Sequence, residues 1–103
     1  MYNLAFLPSA RQDLVGIVQY ISMGLKNPVA AEQMANALTE AAERIAAFPY
    51  ANPVYIPIRP LRHEYRKCPV RNYLIFYWVE EEKQSVTVAR VIYAKRDYAH
   101  MVE

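Results

Sequence analysis

Glycine and cysteine are scarce in this chain, and each shortage removes a class of function. Its 103 residues include two glycines, Gly16 and Gly24. That is too few for the glycine-rich turn whose backbone N–H groups close on a phosphate, so neither a P-loop nor a dinucleotide fingerprint can be built. The single cysteine, Cys68, excludes an internal disulfide, and with His63 and His100 far apart there is no Cys-x-x-Cys or His-x-x-x-His spacing for a structural zinc. No serine stands in a Gly-x-Ser-x-Gly elbow and no two acids are evidently paired, so a hydrolase triad is not indicated. Cys68, beside Pro69 in an extended segment, reads as an inert buried thiol. The longest apolar run, Tyr73 to Val79, is much too short to span a bilayer, and Met1 to Leu4 lacks the basic flank and apolar stretch of a signal peptide. No cofactor, metal or membrane partner is expected, and a cytoplasmic location is.

What the chain has is apolar and aromatic side chains. They make up 54% of it, with nine tyrosines, three phenylalanines and one tryptophan, enough to offset the entropy of ordering a compact fold. The length suits a single domain over residues 1–103. There are no internal repeats and no low-complexity tracts. Net charge is only +2, but it is unevenly spread. Arg59, Arg62, Arg66, Lys67 and Arg71 face a lone Glu64 in residues 59–71, and Arg90, Lys95 and Arg96 follow without an acid in residues 90–96. The second half therefore carries a local positive field suited to an acidic partner or RNA.

The periodicities order the elements. Tyr2, Leu4 and Phe6 alternate with Asn3 and Ala5 as a strand, ended by Pro8. Ser9 and Gln12 have the form of a capping box, and Leu14, Ile17, Val18 and Ile21 continue a helix from about Ala10 to Met23, stopped by Gly24. Asn27-Pro28 opens a second, longer helix whose apolar face is Ala31, Met34, Ala35, Leu38, Ala42 and Ile45, ending at Phe48-Pro49. The short link makes the two an antiparallel hairpin. Pro49, Pro53, Pro57 and Pro60 then break regular structure, with a short edge strand expected at Val54-Tyr55-Ile56. Strands follow at Glu64–Cys68, at Tyr73–Val79 (apolar on both faces) and at Ser85–Tyr93, the last two joined by the solvated turn Glu80–Gln84. The sum is an α+β fold of order β-α-α-β-β-β, a helical hairpin on one face of a mostly antiparallel sheet, whose other face is left over. Alternation puts Arg66 with Cys68 on one face and Tyr65 with Lys67 on the other, so only part of the basic set can share a surface.

Arginine and lysine interleaved with tyrosine can pair with phosphates and stack on exposed bases. Most of the tyrosines are better read as strand residues in or beside the core, Tyr98 beyond the last strand excepted. Arg11, Lys26, Arg44 and Lys83 are scattered among acids and read as solvated. His100 offers an imidazole that titrates near neutrality, though so close to the terminus it reads first as merely exposed.

Several short motifs occur in a telling order: Ala10-Arg11-Gln12-Asp13-Leu14, Tyr20-Ile21, Asn27-Pro28 with Ala30-Ala31, Phe48-Pro49, Tyr65-Arg66-Lys67, Tyr73-Leu74-Ile75-Phe76-Tyr77, and Arg90-Val91-Ile92-Tyr93-Ala94-Lys95-Arg96-Asp97. In that order and spacing the chain resembles the RelE/ParE superfamily of toxins of type II toxin–antitoxin systems, its ParE branch in particular. The resemblance implies the fold derived above and a partner antitoxin that orders as it wraps the toxin. It also implies one of two targets. ParE-like members poison DNA gyrase, and RelE-like members cut mRNA in the ribosome. In a ribonuclease, Arg66, Lys67 and Arg96 would stabilise phosphate charge and Tyr98 or His100 would move protons. Arg59, Arg62, Arg71 and Lys95 would bind the target or RNA. Ribonuclease members often have arginine directly after the central-strand tyrosine, where this chain has Leu74, and an aromatic or histidine near the C-terminus, where Val102 stands. Losing such a charge costs orders of magnitude in rate, so a gyrase-directed toxin is favoured over the ribonuclease, with a non-toxic or inactive binding module on the same fold as the third reading.

Overall fold

In the computed structural model, which describes residues 1–103, a short opening strand leads directly into the first helix. Strand β1 (Asn3–Phe6) ends before Leu7-Pro8, and helix α1 (Pro8–Gln19) starts at the proline itself. A proline at the first helical position has its φ already set and no N–H to leave unpaired. The capping box expected of Ser9 does not form. Ser9 lies inside the helix and its Oγ donates to the carbonyl of Ala89, 2.8 Å away. The last turn widens into a π-helical turn over Tyr20–Gly24, where the N–H of Leu25 reaches the carbonyl of Tyr20. Gly24 suits the turn, since a Cβ there would sit 3.2 Å from the Tyr20 ring, which would have to give by a few tenths of an ångström.

Helix α2 (Pro28–Ala47) is capped as its sequence predicts, Asn27 Oδ1 accepting from the N–H of Ala30 at 3.1 Å. Its buried face is Ala31, Met34, Leu38, Ala41, Ala42, Ile45 and Ala46. The small residues let it lie close to the sheet. Beyond it, Tyr55 N–H donates to Tyr65 and Lys67 N–H to Pro53, but only Val54 forms a bridge, to Arg66, so the expected edge strand is reduced to that pairing. The following strand, β2, runs Arg66–Val70, two residues later than its alternation suggests, and includes Pro69. Proline is tolerated because β2 is an edge.

Strands β3 (Tyr73–Glu80) and β4 (Ser85–Tyr93) complete a four-stranded sheet of order β1-β4-β3-β2. All pairings are antiparallel except β1 with β4. With two glycines in the chain, three tight connections use left-handed non-glycine residues, Lys26, Arg71 and Gln84 (φ 53°, 54° and 48°).

The helix-side core joins Ile17, Met34, Leu38 and Ile45 to Cys68, Tyr73, Ile75, Tyr77, Val86, Val88 and Val91. The face expected to be left over is not bare. Tyr55, Tyr65 and Val102 fold across it onto Leu74, Phe76, Ala89 and Ile92. The turn Tyr98–His100 and the C-terminal strap hold this second layer. Met101 accepts from Arg90 at 2.6 Å, and Glu103 Oε2 accepts from the Arg62 N–H and the Tyr65 hydroxyl at 2.8 and 3.0 Å.

The acidic turn does more than keep the hairpin tip wet. Glu81 accepts from the hydroxyls of Tyr2 (2.7 Å) and Tyr50 (2.5 Å) and from the Gln84 amide, tying the tip to the N-terminal segment and to the proline-rich loop. These bonds favour the carboxylate, so Glu81 titrates below its usual 4.5, and the same contact pushes Tyr50 up to about 12. A carboxylate depressed in the fold contributes stability above its unfolded pKa and loses it as pH falls through the folded value. Wild type is therefore expected to be more stable than Glu81→Gln at neutral pH, with the gap closing as pH drops from 4.5 downward. Urea midpoints across a pH series measure it, and a gap that persists in acid would discount the carboxylate.

Candidate functional site

The basic residues singled out in the sequence divide among three places. Arg66, in register with Tyr77, lies beside the proline-rich loop. Its Nη1 donates to the Asn52 carbonyl at 2.7 Å, and its guanidinium carbon is 5.0 Å from the centre of the Tyr50 ring. Asn52 Nδ2 in turn donates to the buried Tyr77 hydroxyl, which itself donates to Pro49. Arg66 thus buttresses a loop.

Lys67, one residue on and in register with Phe76, stands on the other face. Its ammonium is 5.8 Å from the ring centres of both Tyr55 and Tyr98. Tyr98 is half-buried, packed on Phe76 and edge-on to Tyr55, so it belongs to the second layer rather than standing free. Lys67 and Tyr98 are therefore neighbours, while Arg66 is turned away from both. Around them the face is filled. Leu74 and Val102, 7% and 4% exposed, are packed in the same apolar layer, and burial pushes the ionisation of the Tyr55 and Tyr65 phenols up, the Glu103 contact adding to it for Tyr65. His100 and Lys95 are exposed at the surface, as is Arg59, and Arg62 engages through its backbone N–H rather than its guanidinium.

Arg71 and Arg96 meet elsewhere, at a groove of about 890 Å³ between α1, its π-helical turn, the start of α2 and the ends of β3 and β4. Ile17, Tyr20, Ile21, Leu25 and Met34 are among its apolar lining residues, with Tyr73 and Tyr93 edge-to-face at 5.7 Å on the strand side. Tyr20 and Leu25, which line it, are each more than half exposed, as are Met23 and Val29 in the neighbouring helical turns, an apolar surface of note. The chain has two ion pairs, Lys83–Glu80 and Arg90–Asp13, so the guanidiniums of Arg71 and Arg96 are unneutralised. Arg71 occupies the first position of the two-residue β2–β3 turn in a left-handed conformation, where a glycine would sit without the cost of about 1 kcal/mol that a side chain carries.

Sequence reasoning missed what organises this groove. β1 is four residues long and β4 nine, so the outer edge of β4 outruns its partner. Helix α1 completes it. After Leu7 N–H bonds to Val88, Ser9 Oγ donates to Ala89, and Asp13 Oδ2 accepts from the Val91 N–H at 2.9 Å. A bulge at Ala89 shifts the register so that Val91 points to the helix side. Arg90, counted from the sequence as part of a free basic cluster, is instead clamped by Asp13 through Nε (2.7 Å) and Nη2 (3.0 Å), which raises its already high pKa. The signal was present: Ala10, Asp13 and Ile17 are spaced i, i+3, i+7 and share the buried face of α1.

This arrangement of two helices on a four-stranded mixed sheet is the fold of the RelE/ParE toxins. Superposition with a chain of the RelBE2 toxin–antitoxin complex from Mycobacterium tuberculosis gives a TM-score of 0.62 at 22% identity, covering 89% of this chain and 96% of that one. The chromosomal ParDE system of P. aeruginosa gives 0.68 at 13% identity over 92% and 98%, and the intact RelBE complex of E. coli 0.62 at 21% over 93% and 100%. No curated protein sequence matches significantly. Residues 4–98 match the family described as the ParE toxin of the type II toxin–antitoxin system parDE, and the chain belongs to that family.

Proposed function

We propose that the protein is a ParE-like toxin that poisons DNA gyrase and is neutralised by an antitoxin segment lying in the α1–α2 groove. The observation that carries the first part is the sealed open face. Where a phosphate-cleaving surface would need charge, Leu74 and Val102 are packed against Phe76 and Ile92. Arg66 is also engaged with Asn52 on the side away from Lys67. Desolvated apolar side chains there leave a developing negative charge without a partner. The second part rests on the groove: lined mainly by apolar residues, with the unneutralised guanidiniums of Arg71 and Arg96 among its polar ones, it suits an amphipathic segment that presents carboxylates to them. The superposed RelBE and ParDE structures are of toxin–antitoxin systems, which supports such a partner.

One observation favours the ribonuclease reading: the Lys67 ammonium beside the Tyr98 ring on the open face, a cation next to a proton-bearing group. The two readings separate cleanly. Purified protein is expected to block supercoiling of relaxed plasmid by gyrase, and Lys67→Ala and Tyr98→Phe, which each remove one polar group without opening the apolar layer, should keep that activity within about twofold. Uninhibited supercoiling, together with discrete cuts in translated mRNA that vanish in Lys67→Ala, would establish the ribonuclease instead.

A further inference from the structure

Farther along the Lys67 face, beyond the Lys67–Tyr98 pair, the chain builds a third arrangement that the toxin reading does not use. Its only tryptophan, Trp78, and Tyr65 meet at a right angle, ring centres 5.8 Å apart and planes 89° apart. They form two sides of a notch that His63 fills, Tyr65 being only 3% exposed. Two carboxylates border it: Glu80 Oε1 accepts from the Trp78 indole N–H at 3.2 Å, and Glu103 Oε2 accepts from the Tyr65 hydroxyl at 3.0 Å. Aromatic faces bordered by carboxylates are the elements that recognise organic cations, because the ring quadrupole and the acids both favour positive charge.

The notch already holds a flat aromatic ring. The exposed His63 imidazole lies on the Trp78 indole at 3.8 Å with only 2° between the planes, and Tyr65 meets it edge-on at 5.9 Å. His63 is within electrostatic reach of both Glu80 and Glu103. Its backbone is pinned on either side, by the Arg62 N–H bond to Glu103 and by the Tyr65 carbonyl that accepts from Tyr55, so only the side chain has to move. An exposed side chain can leave by rotating about its own bonds. Lys83, paired with Glu80 at 3.2 Å and 75% exposed, is the internal competitor for that acid.

We propose that this notch is a binding site for the guanidinium of an arginine presented by a protein partner, with His63 as a displaceable stand-in. A guanidinium is planar and can stack on Trp78 where the imidazole lies, and its N–H groups can donate to Glu80 and Glu103 at the rim. Lysine has the charge without the plane. A nucleobase has the plane without the charge and would bring phosphate towards two carboxylates. The inference is independent of which target the toxin acts on.

Trp78 fluorescence reads the site directly, as no other indole contributes. N-acetylarginine amide titrated into the full chain should change its emission with a dissociation constant on the order of millimolar, as befits one side chain. His63→Ala, which vacates the notch, should bind about two- to fivefold more tightly. Glu80→Gln in that background should weaken the response again. Circular dichroism confirms the fold of each variant, and His63, being exposed, is dispensable to it. An equal response to N-acetyllysine amide would overturn the planar-cation assignment. A stronger response to AMP would make the notch a base-stacking platform instead. No arginine-dependent change in folded His63→Ala would remove the site altogether.

Discussion

Asp13→Ala is expected to destabilise the protein by about 3 kcal/mol, the low end for breaking a buried ion pair because the two side chains remain 22% and 17% exposed. The loss has two parts. The Arg90 guanidinium keeps only its bond to the Met101 carbonyl, its Nε and Nη2 donors lose their acceptors, and the Val91 N–H at the β4 edge is left unpaired. At about 4 to 8 °C per kcal/mol for a domain of this size, the melting temperature should fall by about 12 to 24 °C. Asp13→Asn keeps an acceptor and should lose less. Adding Arg90→Met to Asp13→Ala should recover part of the deficit, since removing both charges is gentler than stranding one. Ser9→Ala, which removes one neutral hydrogen bond on the same edge, should cost about 1 kcal/mol. Urea unfolding of the four variants measures the series, and an Asp13→Ala protein within 1 kcal/mol of wild type would mean that α1 does not close the edge of β4.

That ranking explains why the sequence disclosed some features and concealed others. The fold was legible because it rests on local signals: alternation in β1, the continuous apolar run of β3 followed by the polar turn before β4, the Asn27-Pro28 start of α2, and its i, i+3/i+4 apolar face. The capping box at Ser9 misled because the helix begins one residue earlier, at Pro8, and the Ser9 hydroxyl instead donates to a strand carbonyl brought close only by tertiary packing. The alternation rule did separate Arg66 from Lys67, and the structure keeps them apart. The candidate site was harder to read. A count of basic residues does not distinguish Arg90, clamped by an acid 77 positions away, from Arg96, which has no acid. Nor could the sequence reveal that the unoccupied sheet face is covered, because the residues that cover it, Tyr55, Tyr65 and Val102, come from an irregular loop and the C-terminal strap. The groove itself is bordered by a π-helical turn, which has no periodicity to detect.

The groove also makes the strongest functional prediction. Tyr20 and Leu25 are each more than half exposed, so changing both to aspartate should leave the fold intact while placing two charges where an apolar segment would be desolvated. Truncating one such anchor typically costs 2 to 4 kcal/mol of binding, so antitoxin affinity by calorimetry should fall by about 30- to 1,000-fold. Co-expressed antitoxin should then fail to rescue growth. Arg71→Ala and Arg96→Ala should act differently. As rim charges they set encounter rate more than lifetime, so each should cost about tenfold at low salt and much less at high salt, where rim electrostatics are screened anyway. Arg71→Gly separates charge from backbone: it removes the guanidinium and relieves the left-handed strain at φ 54°, so it should weaken antitoxin binding while stabilising the free toxin. Wild-type affinity in the Tyr20→Asp/Leu25→Asp protein would rule the groove out. If binding were lost there but kept in both arginine variants, the partner would be held by apolar contact alone. The left-handed conformation of Arg71 would then be strain without a use at this site.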